Sequence, residues 1–226
     1  MTSLARELAA AQERAAALFR AIESNRLVRP GETEGSIDAA IFELASRDFG
    51  VEKHWHRRVV RSGPNTRLPF RARTPDRTVE EDDIVSLDLG PVFGAYEADF
   101  GRTFVLGTHA EKHRLNADLE AVFRAGQATY AARPTMTGAE LYASVVQMSA
   151  ERGWGFGGEH AGHLVGVFPL AREERDAAKN RIRPDNTSAM NEPGADGEPR
   201  HWILEVHLLD PTGTFGGFYE ELLSLV

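Results

Sequence analysis

The residues of this chain best suited to chemistry are acidic side chains set in apolar surroundings. Asp88 sits in Val85-Ser86-Leu87-Asp88-Leu89-Gly90, where a solitary buried carboxylate costs several kcal/mol unless a positive charge or a metal compensates it. Eleven residues later comes Asp99, with Gly90 and Gly94 between them able to turn the chain, so neighbouring strands can aim both carboxylates at one point. Glu205 in Trp202-Ile203-Leu204-Glu205-Val206 repeats the situation, as does Glu220 beside Phe218, Tyr219 and Leu222. Taken singly, each carboxylate is explained as well by an arginine partner such as Arg102 or by an exposed strand edge. Together with His163 in Ala161-Gly162-His163-Leu164-Val165-Gly166, they form a four-carboxylate, one-histidine set sufficient for two divalent cations. The chain has no cysteine, which excludes disulfides, thiolate metal sites and a cysteine nucleophile. An oxygen-rich set of this kind suits Mn, Co, Zn or Fe(II).

The elements that must position these residues are legible from periodicity. Leu4, Leu8, Ala11, Ala15, Leu18 and Ile22 lie on one stripe of an amphipathic helix. Arg29-Pro30-Gly31 ends it, Thr33 offers the next N-cap, and Ile37, Ile41 and Leu44 continue a second helix to Phe49-Gly50. Val59 and Val60 open a strand, Ser62-Gly63-Pro64-Asn65 is a turn, and strands are expected over 84–89 and about 98–106. Helical spacing returns over 114–132 and stops at Arg133-Pro134, after which Thr137 and Glu140 form a capping-box pair for another helix. Each half thus consists of two helices followed by strands. The segment 172–200 reads as a long loop, and strands resume over 201–209 and 218–225.

In chain order these motifs resemble the pita-bread metallopeptidases: methionine aminopeptidase, aminopeptidase P, prolidase and creatinase. Leu87-Asp88-Leu89-Gly90 followed by Tyr96, Asp99 and Arg102-Thr103 is similar to the family's two aspartate ligands, with the Asp-x-x-Arg-Thr ending of its prolidase and aminopeptidase P branch. Gly162-His163-x-x-Gly166 resembles the histidine segment, and Glu205 and Tyr219-Glu220-Glu221-Leu222 resemble the two glutamate segments. Glu220 rather than Glu221 is the inward residue by motif register.

The resemblance implies an α+β pita-bread fold with pseudo-twofold halves, as one domain over 1–226 without the N-terminal accessory domain of the larger relatives. It implies two divalent ions, manganese first, held by Asp88, Asp99, His163, Glu205 and Glu220. Asp88 would chelate one metal, Asp99 and Glu220 would bridge, and His163 with Glu205 would complete the second. Glu205 would also shuttle a proton to the leaving amine. The expected activity is that of an exopeptidase on short peptides, with Xaa-Pro cleavage ahead of methionine removal; a peptide-binding protein without turnover and a creatinase-like C–N hydrolase stay open.

Two histidines that the family uses outside the metal shell fall, by counting, at Phe70 and Leu170, neither of which donates a side-chain hydrogen bond. Either the activity is weak, the substrate differs, or His160 and His207 replace them; His207 shares a strand face with Glu205, whereas His160 reads rather as a loop histidine bonded to solvent or backbone. His54, Trp55 and His56 are expected as exposed polar residues ahead of a strand, with a place near the cleft as the alternative. The net charge of -8 and the lack of dense Lys/Arg runs argue against nucleic acid or anionic membrane as partner. The N-terminal stretch, broken by Arg6, Glu7, Glu13 and Arg14, fits neither a signal peptide nor a span, so a cytoplasmic location is expected. A homodimer is expected as an option, and the Leu4 to Ile22 stripe reads equally well as its interface or as a face packed into the core.

Overall fold

The computed structural model describes residues 2–170, 177–194 and 197–223. Helix α1 (Ser3–Ser24) carries the anticipated stripe, with Leu8, Ala11, Ala15, Leu18 and Ile22 buried. Helix α2 (Glu34–Phe49) starts at the Thr33 cap and stops where Gly50 turns left-handed at φ 64°. The chain then forms β1 (Val59–Ser62), β2 (Ile84–Leu89), a hairpin of β3 (Val92–Phe93) and β4 (Tyr96–Glu97), and β5 (Phe100–Val105). Helices α3 (Ala110–Ala132) and α4 (Gly138–Glu151) follow, then β6 (Gly155–Phe156), β7 (Leu164–Val165), β8 (His201–Leu209) and β9 (Gly216–Leu222). The reciprocal Thr137–Glu140 capping box is present at α4. The third helix begins four residues before the expected 114, because its apolar stripe starts only at Leu115 whereas its first turn is polar.

The main sheet runs β1-β2-β5-β9-β8-β6, with β7 added to β8, and all its pairings are antiparallel. This order is symmetric about the β5–β9 contact: β1, β2 and β5 of the first half correspond to β6, β8 and β9 of the second. The pseudo-twofold expectation is therefore met in topology. The Asp88 strand β2 and the Glu205 strand β8 occupy equivalent places, and β5 and β9 meet at the pair Gly101 and Glu220.

Each half has its own core. Leu87 and Leu89 pack with Leu18, Ile22, Ile37 and Ile41 of α1 and α2, while Leu204, Val206 and Leu208 pack with Leu119, Phe123, Leu141 and Val145 of α3 and α4. Since side chains alternate along a strand, burying these leucines under helices turns Asp88, Glu205 and His207 to the opposite face. The apolar stripe of α1 is used inside the chain, with Leu8 packing on Ile203 and Leu222. Core packing accounts for it.

The described part of 172–200 is more ordered than a loop reading implies. It contains a short 3-10 turn (Ala178–Asn180), buries Ile182 and Met190, and exchanges backbone bonds between Ile182 and the Ala161–Gly162 segment at 2.7 and 2.8 Å. Residues 172–176 and 195–196 of that segment, and 224–225 of the last expected strand, lie outside the described residues. Among the described residues no helix is long and apolar enough to cross a membrane.

Candidate metal centre

The five expected ligands converge. β2 pairs with β5 so that Asp88 faces Gly101, and Gly101 faces Glu220, which in turn faces Glu205 across β9 and β8. Asp99 precedes β5, and His163 precedes β7 and is buried. His163 Nε2 lies 3.1 Å from Asp99 Oδ2 and 3.5 Å from Glu205 Oε1, while its Nδ1 is 2.7 Å from the Leu164 carbonyl. Donor atoms of Asp99, His163 and Glu220 all fall within 4.8 Å of one another. The arginine explanation does not hold for this set: Arg102 and Arg124 go to Glu221, whose side chain points away with Tyr219. Register thus turns Glu220, not Glu221, into the cluster.

Electrostatics suit the cluster to a cation. Burial, reinforced by Asp99, Asp88 and Glu205, pushes Glu220 well above the ordinary carboxylate range. Burial likewise raises Glu205 to about 7 and Asp88 to about 6. Asp99 goes the other way: burial opposes its charge, but His56 and His163 hold it well below its usual value. Carboxylates this close cannot all ionise without a compensating cation. Two buried oxygens, Asp88 Oδ1 and Glu220 Oε2, have no hydrogen-bond partner among the described residues, a cost that a bound cation removes. The donor set therefore fits divalent metal ions.

One member was not anticipated. His56, expected to be exposed, has its ring largely buried in the cluster, with Nε2 3.3 Å from Asp88 Oδ1 and 3.1 Å from Asp99 Oδ1. Burial alone would lower its pKa, but Asp88 and Asp99 outweigh that and hold it up at about 9. Trp55 is half-buried, its ring 4.3 Å from His56 and 5.3 Å from His163 in edge contacts. His54 is also half-buried, 6.4 Å from Phe42. The exposed reading fails because β1 pairs Val59 with Asp88, which draws the residues just before β1 over the site. Close packing at Gly90 lets this happen: a Cβ there would lie 2.4 Å from the His56 ring and 2.6 Å from Trp55. Gly90→Ala is expected to lower stability by about 1–3 kcal/mol through overpacking, measured as a reduced urea midpoint at unchanged m-value.

A cavity of about 550 Å³ opens over the cluster. His160 and His207 both line it, in different states. Arg181 Nη1 donates to His160 Nε2 at 2.7 Å, so the ring proton sits on Nδ1, 3.5 Å from Glu205 Oε1. Burial, aided by His163 and Arg181, lowers His160 to about 3 and keeps it a neutral donor. His207 Nε2 is instead 2.8 Å from the Thr66 carbonyl, which ties it to the 63–67 turn. Phe70 is 43% exposed at the mouth, edge-on to His56 at 5.4 Å, and Leu170 lines the wall.

The sequence profile of metallopeptidase family M24 matches residues 6–212. An Xaa-Pro dipeptidase of Pyrococcus furiosus is 33% identical over 154 residues, 67% of this chain and 42% of that protein, so the chain spans less than half of the relative's length. An X-Pro aminopeptidase structure from Thermotoga maritima superposes with a TM-score of 0.76 at 23% identity, covering 98% of this chain and 60% of the other. A methionine aminopeptidase structure from the same organism gives 0.71 at 15% identity, covering 99% and 97%. At these identities the two structures speak for the fold, and they bear out the pita-bread architecture.

Proposed function

The chain belongs to metallopeptidase family M24, and on that premise we propose that it is a two-metal exopeptidase of short peptides, with Xaa-Pro dipeptides as its substrate class. The observation that carries this reading is the convergence of Asp88, Asp99, His163, Glu205 and Glu220, with buried oxygens on Asp88 and Glu220 that accept no hydrogen bond, at the floor of one cavity. Relatives named as Xaa-Pro dipeptidases and the Asp99-to-Thr103 motif support the substrate class.

Divalent ions held by these ligands would polarise a carbonyl and lower the pKa of water. The chain's own groups supply the rest. Glu205, which lines the cavity 3.5 Å from His160 Nδ1, is placed to pass a proton from water to a leaving amine. His160, neutral with Nδ1–H beside Glu205, donates a hydrogen bond to a developing oxyanion or orients the Glu205 carboxyl. His207 holds the turn at Thr66 and so shapes the cavity wall. Phe70 and Leu170 contribute apolar surface that suits a proline ring. Manganese is the first metal to try, and the compartment we propose is the cytoplasm.

Phe70 and Leu170 also favour a second reading, a peptide-binding protein without turnover, since neither side chain donates a hydrogen bond to substrate. The test is metal content of the purified protein, followed by Mn- and Co-dependent hydrolysis of Xaa-Pro, Met-Xaa and other dipeptides. Metal-dependent cleavage that prefers Xaa-Pro is the expected result. Bound metal with peptide binding but no cleavage selects the second reading.

A further inference from the structure

We infer that His56 is itself a metal ligand, the counterpart of His163, so that the cluster presents one imidazole to each of two cations. This rests on reading the cluster as a two-metal centre, and it adds a ligand outside the five-residue set.

Three independent features of the geometry carry it. First, the distances are those of donors sharing a cation. His56 Nε2 stands 3.3 Å from Asp88 Oδ1 and 3.1 Å from Asp99 Oδ1, and donors bound at roughly 2.0–2.2 Å to one ion lie about 3.0–3.5 Å apart. The matching contact on the other side, His163 Nε2 to Asp99 Oδ2, is 3.1 Å. The two oxygens of Asp99 therefore each face one histidine.

Second, the two rings are prepared alike. His56 Nδ1 is 2.6 Å from the carbonyl of Arg57 and His163 Nδ1 is 2.7 Å from the carbonyl of Leu164, in each case the next residue. Donating Nδ1–H to a backbone carbonyl orients the ring and leaves Nε2 for a metal, the usual arrangement of ligating histidines. The other cavity histidines differ, since His160 Nε2 accepts from Arg181 and His207 Nε2 meets the Thr66 carbonyl.

Third, the His56 ring is held in this orientation from several sides. Gly90 leaves it just enough clearance on one side, Trp55 packs on it at 4.3 Å, and Phe70 meets it edge-on at 5.4 Å. A substrate-binding histidine would need freedom to face the cavity, whereas this one faces Asp88 and Asp99.

The consequence is a metal preference that departs from manganese, the first choice for the five-ligand set. Without His56 the Asp88 side is built from carboxylates alone, which suits Mn. An added imidazole favours Zn, Co or Fe(II). The structure thus assigns this centre to ions that accept nitrogen on both sides.

The test uses the full chain, stripped with chelator and titrated with Co²⁺ and with Zn²⁺, reading bound metal per chain after desalting and the visible absorption of cobalt. Wild type is expected to bind two ions. In His56→Ala one ion should bind as before and the other at least about 100-fold more weakly, because loss of an outer partner alone costs about 10–100-fold. The cobalt spectrum should change with it. His163→Ala should weaken the opposite ion. Should His56→Ala fold poorly, long-range ¹H–¹⁵N NMR of Zn²⁺-loaded wild type decides, with metal-bound Nε2 expected on His56 and His163. Two ions bound with His56 Nε2 free, or an unchanged cobalt spectrum and affinity in His56→Ala, would overturn the inference and leave the two-metal peptidase reading intact. Wild type that binds no ion would overturn both.

Discussion

Asp99→Ala is expected to lower dipeptide hydrolysis by about 10³-fold or more and to take bound metal below one ion per chain. The magnitude follows from the several kcal/mol of transition-state charge stabilisation that bound metal supplies, at tenfold in rate per 1.36 kcal/mol. Asp99 is the most exacting of the proposed ligands to lose, because its two oxygens serve different sides of the cluster, Oδ1 facing His56 and Oδ2 facing His163, both at 3.1 Å. It is also the cluster carboxylate held in its ionised form, with burial overcome by the two imidazoles. Removing it leaves His56 and His163 facing a gap with their principal anion gone, so some loss of folding stability is expected as well. Asp99→Asn separates the effects, since it retains the volume and one acceptor but removes the charge. Both variants should lose metal and turnover, and Asn should retain more stability than Ala. If either variant kept wild-type metal content, Asp99 would be no ligand and the centre would have to be redrawn.

Chelation should produce the second large effect, and its pH dependence has a definite sign. Above pH 6.5 the groups raised by the cluster all act in one direction. His56 is held up at about 9 by Asp88 and Asp99 against its burial, Glu205 is pushed to about 7 by burial, and Glu220 is raised well above the ordinary carboxylate range by the same cause. A group whose folded pKa exceeds its unfolded pKa stabilises fully below the unfolded value, and that contribution fades as pH rises through the folded one. Chelator-treated protein should therefore lose stability steadily from pH 6.5 to 9. His54, His160 and His207, whose pKa values are lowered by burial, contribute the opposite slope only below about 6.5, which is why the window starts there.

With metal present the slope should flatten or reverse, because a cation displaces these protons and binds more tightly as pH rises. At metal concentrations a hundredfold above Kd the gain is about 2.7 kcal/mol per site, and each kcal/mol is worth roughly 2–4 °C in Tm for a chain of this size. Thermal melts at pH 6.5, 7.5 and 9, with EDTA and with Mn²⁺, measure both slopes. Equal melting temperatures with and without metal at pH 9 would mean that the cluster holds its charges by some other route.

Local pattern carried most of the architecture. The stripe from Leu8 to Ile22, the Thr33 and Thr137 caps and the apolar run around Asp88 each depend on residues within a few positions of one another, so periodicity suffices to read them. The same local rule told that Glu220 and Glu221 must face opposite sides, and motif order along the chain picked out Asp88, Asp99, His163, Glu205 and Glu220.

What the chain's own neighbours could not determine is what meets across the sheet. His54-Trp55-His56 has no periodicity and looks like exposed chain. Only the pairing of Val59 with Asp88 and the missing side chain at Gly90 bring the His56 ring onto Asp99, 43 residues away. Likewise only three-dimensional contacts tell His160, a neutral donor beside Glu205, from His207, tied 141 residues away to Thr66. Helices and strands answer to local spacing, whereas the protonation, partners and facing of a buried polar group are set by whichever distant segments the fold packs against it.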